Sequence, residues 1–328
     1  MTFSSSLTHR SMADPLTIQM DQLETQMEQA GLEGLFNIFL RARIPTPQAY
    51  ANARFLAEDV VYALRRAFYP MRMAEGVSGD SLIVGSVGKR TALSPIEMVD
   101  VLYLLPSKLK LDRSVDAHNA VSAGIHDQIE HSGVSIDEIG VVISGSSCRV
   151  RVIPAVETAE GYKIPGPNAL GADSGWQISN PISEAATLRL SDSLNAGTTR
   201  LLLTLLKSWK EAAKVEVSSL ALEILVQDYF ATQKRQGKLS ADFKAFLAWG
   251  RSRTPGTITA SGAKYGIHLS NAWHESAKAA YSRATLAEQA ERNDVFSAAM
   301  EWRHLLGMAF PVPENSEESL PPILEAYA

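Results

Sequence analysis

The sequence predicts an α+β chain built as two lobes, and three observations predict it. The chain opens with two helical patterns, and its middle holds four short apolar runs bounded by Gly and Pro. After about Ser191 the strand signal gives way to helical periodicity. This order places a strand-rich lobe over 14–190 and a helical lobe over 191–312. A polar leader at 1–13 and a charged, loose tail at 313–328 flank them.

Leu16, Met20, Leu23, Met27, Leu32 and Leu35 carry helical spacing as far as Leu40, and Pro45 and Pro47 interrupt it. A second helix is expected from about Gln48 to Met71, with Ala53, Leu56, Val60, Val61, Leu64 and Phe68 on one side. Gly76 to Asp80 reads as a turn. Strands are expected at 81–85, 99–105, 141–143 and 148–156, with a helix from Ser114 to His131. Gly161 to Pro181 is rich in Gly, Pro and Asn and reads as a hairpin and loop. Helices follow at 193–213, 216–234, 240–248, 272–291 and 293–306.

Composition excludes several classes. Of 328 residues 45% are hydrophobic, ample for a large core and too many for a disordered chain. The net charge is -5, so no global basic field holds duplex nucleic acid constitutively. Cys148 is the one cysteine, which rules out an internal disulfide and a cysteine-built zinc site. The longest apolar run, Leu201 to Leu206, is far short of the roughly 18 residues that span a bilayer. Met1 to Asp14 lacks the apolar core of a signal peptide and reads as a disordered leader. The expectation is a soluble cytoplasmic protein with no membrane partner.

The segment Leu82-Ile-Val-Gly-Ser-Val-Gly-Lys-Arg-Thr-Ala92 sets Gly85-Ser86 at the end of a strand. Backbone amides of such a turn, with the Ser86 hydroxyl, can hold phosphate oxygens, though a Gly-Ser after a strand is usually only a turn. About a dozen residues on, Val99-Asp-Val-Leu-Tyr-Leu-Leu-Pro106 carries Asp100 on an apolar strand. This spacing resembles the nucleotidyltransferase superfamily related to polymerase β. The likeness is greatest to its branch of cyclic GMP-AMP synthase, oligoadenylate synthetase and the bacterial cyclic-oligonucleotide synthases of antiphage signalling.

Further pieces occur in the family's order: Val150-Arg-Val-Ile-Pro-Ala-Val156, Tyr162-Lys-Ile-Pro165 with Trp176-Gln-Ile and Asn180-Pro181, Leu202 to Lys210, Ser219-Leu-Ala-Leu-Glu223, and Ala299 to Pro311. The resemblance implies a polymerase-β-like nucleotidyltransferase lobe with a mixed sheet, a helical C-terminal lobe, and a long helix near 48–71 spanning both.

Catalysis in that family needs three carboxylates holding two Mg²⁺ ions, two of them at i and i+2 on one strand face. Asp100 is the second of the three. Met98 stands two residues before it, and Arg151 stands at the third position. Glu97 is expected on the opposite face from Asp100, and Glu157 outside the pocket. Asp100 alone is an insufficient metal site, so the resemblance is to a degenerate member. No cofactor is expected, and Mg or Mn only if the chain is active.

The resemblance also assigns Gly85, Ser86, Arg151, Lys207 and Ser219 to nucleotide binding. Each has a plainer reading. Lys207 is otherwise a solvated helix lysine in a charge run to Lys214, and Ser219 otherwise caps its helix. Arg151 either pairs with phosphate without any ion, or pairs with Asp100 and plugs the site. Trp176, Trp209 and Trp302 read as core, and His118, His126, His131 and His268 have no ligand spacing.

The expected ligand is a nucleoside triphosphate or another nucleotide, with a partner protein from the same defence system as a further partner. The alternatives are an active synthase of a cyclic or linear oligonucleotide messenger, and a structural subunit with a closed groove.

Overall fold

The computed structural model describes residues 31–71, 79–128, 133–166, 174–253 and 256–313. The leader, the periodic residues Leu16 to Met27, Gly76 to Ser78, His131 and all but Pro313 of the tail lie outside them. The described chain begins with α1 (Leu32–Arg43) and α2 (Pro47–Phe68). Thr46 caps α2 by accepting from the Ala49 N–H at 3.1 Å, and Pro47 supplies a preset φ at its first position.

The first lobe is a seven-stranded mixed sheet of β1 (Ser81–Val84), β2 (Met98–Leu104), β3 (Val134–Ile136), β4 (Val141–Ser144), β5 (Arg149–Thr158), β6 (Gly161–Pro165) and β7 (Trp176–Ser179). The spatial order is β1-β2-β5-β4-β3, with β6 and β7 extending from the far end of β5. β2 and β5 run parallel, and the other pairs are antiparallel. Alternation decides the two faces of the central pair. Val99, Val101, Tyr103, Val150 and Val152 are buried with α2 and α4 (Ser114–His126) in one core. Leu102, Ile153 and Ala155 point the other way, into a smaller cluster with Val84 and Ile164.

The second lobe contains α5 (Pro181–Leu194), α6 (Thr198–Ala213), α7 (Ser219–Thr232), α8 (Leu239–Arg251), α9 (Asn271–Glu291) and α10 (Val295–Leu306). A small hairpin, β8 (Gly256–Ile258) and β9 (Ile267–Leu269), joins α8 to α9. Its core is aromatic: Trp302 meets Phe36 at 4.9 Å and Phe243 at 5.5 Å between ring centroids, and Trp209 meets Trp273 at 5.8 Å.

Several expectations change. Gly85–Lys89 is a five-residue helix (α3) rather than an open turn. The helix expected at 193–213 starts only at Thr198 (α6), and α5 ahead of it was not anticipated; Asn195 to Gly197 separate the two, with Gly197 left-handed at φ +82. Asn180-Pro181, read as loop, is the N-cap and first position of α5, with Asn180 accepting from the Ser183 N–H. The strands β3, β8 and β9 were not anticipated, since three residues are too few to show a period.

α1 sends Leu32, Leu35, Phe36, Phe39 and Leu40 into the helical lobe's core, although the sequence groups it with the first lobe. The buried residues of α2 that join a core cluster all join the first, although the resemblance lets that helix span both lobes. Trp209 and Trp302 are core, while Trp176 is half-buried and donates to the Asp112 carbonyl.

Candidate active site

Between the sheet face and helices α5 to α7 lies a cleft of about 580 Å³. Its lining brings together all seven residues singled out in the sequence: Gly85, Ser86, Met98, Asp100, Arg151, Lys207 and Ser219. Glu97, just ahead of β2, is exposed but also reaches the cleft, whereas Glu157 does not line it.

The sheet register explains the centre of the floor. Asp100 stands beside Arg151 on the parallel pair, and Met98 beside Arg149. Met98 and Asp100 share a face because strand side chains repeat every two residues. The Arg151 guanidinium is set against Asp100 Oδ1, with Nε at 2.8 Å and a terminal nitrogen at 2.7 Å. Its other terminal nitrogen reaches Asp137 Oδ2 at 3.2 Å.

Asp137 is held for this contact by the turn between β3 and β4. Its Oδ1 accepts from the backbone N–H groups of Ile139 and Gly140. Burial alone would lower the Arg151 pKa, but Asp100 and then Asp137 outweigh it and hold the group above the usual arginine value. Sequence reasoning missed Asp137, which lies in a surface turn with no strand pattern of its own.

Lys207 is a buried helix lysine and not a solvated one. Its Nζ donates to Glu223 Oε1, the Thr91 hydroxyl and the Thr91 carbonyl, each at 2.9 Å. An ammonium has three N–H groups, and all three are matched. Glu223 Oε2 is 2.6 Å from Lys89 Nζ, which also reaches Glu184 Oε2 at 3.1 Å. Thr91 donates to Glu223 at 2.8 Å, and Ser179 to Glu184 at 3.2 Å.

This network ties α3 and the segment after it to α5, α6 and α7, so it fixes one lobe on the other. Burial would raise the Glu223 pKa, but Lys207 and then Lys89 overcome it and bring it to about 2. Burial would depress Lys89, and Glu223 and Glu184 reverse that and raise it. A lone Glu in the apolar run Leu-Ala-Leu-Glu-Ile-Leu-Val was the one sequence signal for this cluster, because a charge on a buried face requires a partner.

Ser219 does not cap α7. Ser218 does, accepting from the Ala221 N–H at 3.0 Å. The Ser219 hydroxyl instead sits 3.5 Å from Lys210 Nζ, and both line the cleft. Burial, and next the neighbouring Lys207, hold the Lys210 pKa below its ordinary value. Tyr265, on the connection between β8 and β9, is a further lining residue that the sequence did not disclose. A backbone bond from the Lys264 N–H to the Ile178 carbonyl fastens that connection to β7.

A divalent ion of the kind this chemistry uses needs several oxygen ligands. Here Met98 offers a thioether, and a fixed cation stands against Asp100. Among the described residues no group of three or more His, Cys, Asp or Glu side chains is placed to hold a metal. The residues present do not fit a two-metal centre.

No family model and no curated protein sequence matches the chain. Solved structures do match in fold. The CdnC of E. coli MS115-1, solved in complex with HORMA-deltaN, superposes with a TM-score of 0.64 at 14% identity, covering 87% of this chain and 99% of that one. The CD-NTase CdnG of Bradyrhizobium diazoefficiens, in complex with GTP, gives 0.63 at 13% identity over 85% of this chain and 96% of that one.

The cyclic AMP-GMP synthase DncV of Vibrio cholerae, holding a linear intermediate, gives 0.58 at 11% identity over 92% of both chains. The chain therefore has the fold of the cyclic GMP-AMP synthase-like and DncV-like nucleotidyltransferases: a polymerase-β-like lobe with a mixed sheet, carrying a helical lobe. Among the described residues no helix is long and apolar enough to cross a membrane.

Proposed function

We propose that the chain is a catalytically degenerate nucleotidyltransferase-fold protein that holds a nucleotide in its cleft and does not join nucleotides by two-metal chemistry. The proposed setting is cytoplasmic, in bacterial antiphage or stress signalling, and one structurally similar protein, DncV, is a cyclic AMP-GMP synthase. One observation carries this reading: the Arg151 guanidinium, 2.7 Å from Asp100, stands where the resemblance calls for a third carboxylate. A cation there competes with Mg²⁺ for Asp100 and repels it at contact distance. The cleft supports the nucleotide part, since Ser86, Ser219 and Lys210 all line it. A protein partner belongs to the same proposal, because one structural neighbour was solved bound to a HORMA protein.

The second reading, an active synthase, draws on Asp137. Asp100 and Asp137 flank one point, and a shift of Arg151 would leave two carboxylates facing it. The test is pyrophosphate release and product formation with each nucleoside triphosphate and Mg²⁺ or Mn²⁺. No turnover is expected. Turnover that disappears in Asp100→Ala overturns the degenerate reading in favour of the synthase.

A further inference from the structure

Four of the five cations that line the cleft are already neutralised by the chain itself. Arg43 pairs with Glu211, Arg151 with Asp100 and Asp137, Lys89 with Glu184 and Glu223, and Lys207 with Glu223. For Lys207 the neutralisation is complete in geometry as well as charge, since each N–H has an acceptor at 2.9 Å. A phosphate reaching that ammonium would have to displace a buried carboxylate and a threonine. Glu223 has nowhere to go, because its second oxygen is held by Lys89 at 2.6 Å.

Lys210 is different: among the described residues it has no ion-pair partner within 4 Å, and its Nζ stands 3.5 Å from the Ser219 hydroxyl at the cleft wall. Across the cleft the floor turns apolar, with Leu102, Ile153 and Ile164, and Tyr265 joins the lining.

We infer that the cleft takes a nucleotide bearing a single phosphate, received by Lys210 and Ser219, and discriminates against nucleoside triphosphates. A phosphate monoester brings about two negative charges, of which the Lys210 ammonium offsets one while the Ser219 hydroxyl donates to a phosphate oxygen, leaving about one unmet. A triphosphate brings more charge into a lining whose other cations are committed, and each unmet charge removed from water costs free energy. Glu223 is the residue that sets this preference, by holding Lys207 and Lys89. The inference rests on the nucleotide-groove reading and narrows it.

The test is calorimetry on the full chain in the presence of EDTA, with the four nucleoside monophosphates, the four triphosphates, the free nucleosides and inorganic phosphate. The expected result is that one monophosphate binds about tenfold or more tighter than its triphosphate and than inorganic phosphate. Glu223→Gln is expected to raise triphosphate affinity about tenfold while changing monophosphate affinity less than about threefold. Because that variant removes a buried charge and can fail to fold, Lys210→Gln provides the second arm. It should weaken monophosphate binding about tenfold and leave nucleoside binding unchanged.

Triphosphate binding as tight as or tighter than monophosphate overturns the inference and leaves the nucleotide groove standing. Inorganic phosphate binding as tightly as any monophosphate overturns it by showing a site for phosphate alone. If no nucleotide binds at millimolar concentration, the groove reading itself falls, and the inference with it.

Discussion

A methyl group built on Gly85 would lie 2.2 Å from Asp100 Oδ2, and Gly85 is left-handed at φ +61. The glycine at the end of β1 is therefore fixed twice, by its backbone and by the carboxylate beside it. Gly85→Ala should cost about 1–2 kcal/mol from the backbone alone, with the displacement of Asp100 added. Denaturant unfolding of the single variant and of Gly85→Ala with Asp100→Ala separates the two. The cost should fall in the double, and an equal cost in both backgrounds would show that the contact is not what excludes a side chain.

The Asp100–Arg151 pair is mostly shielded from water, with side chains 17% and 22% exposed. Arg151→Met leaves the carboxylates of Asp100 and Asp137 without their cation and should destabilise by about 2–3 kcal/mol. Adding Asp100→Leu should restore at least about 1 kcal/mol relative to the sum of the two single costs. Strict additivity in that cycle would mean the two groups do not interact in solution.

Met98 and Arg151 line the cleft with Asp100, so Met98→Asp combined with Arg151→Glu should rebuild three carboxylates around one point. Titration calorimetry should find Mn²⁺ bound more tightly by the double variant than by the parent or either single variant, since each single variant offers one carboxylate fewer beside Asp100 and Asp137. A folded double variant that binds metal no better than the parent would place these side chains apart.

The Glu223 network predicts an acid limb to stability. The folded pKa is about 2 against an ordinary 4.5, so the group's contribution is fully present above about pH 4.5. As pH falls from there toward 2, the unfolded chain takes up the proton first and the contribution, on the order of 3 kcal/mol, is lost. Urea midpoints measured between pH 6 and pH 2 should drop along this limb, and Glu223→Gln should flatten it. An unchanged slope in the variant would assign the acid limb to other carboxylates.

Much of the first lobe was legible in the chain because its signals are local. Gly85-Ser86 at a strand end, the apolar run Val99 to Leu105 bearing Asp100, and Arg151 just before an apolar Val-Ile are local signals, and these four residues all line the cleft. A period of two fixes which side chains share a face, and β2 pairing with β5 does the rest.

The apolar stripe of α1, through Leu32, Leu35 and Leu40, was legible for the same reason. Which lobe α1 joins was not, because an amphipathic stripe states that a partner exists and not which one. Nor does the sequence disclose the state of the charged groups. Lys207 finds its acceptors on Thr91, 116 positions away, and on Glu223, 16 positions away. Arg151 finds its second carboxylate on a turn at Asp137. Whether a lysine is free to meet a phosphate depends on which carboxylates the folded chain brings within 3 Å, and charge pairing at that range is decided by tertiary structure alone.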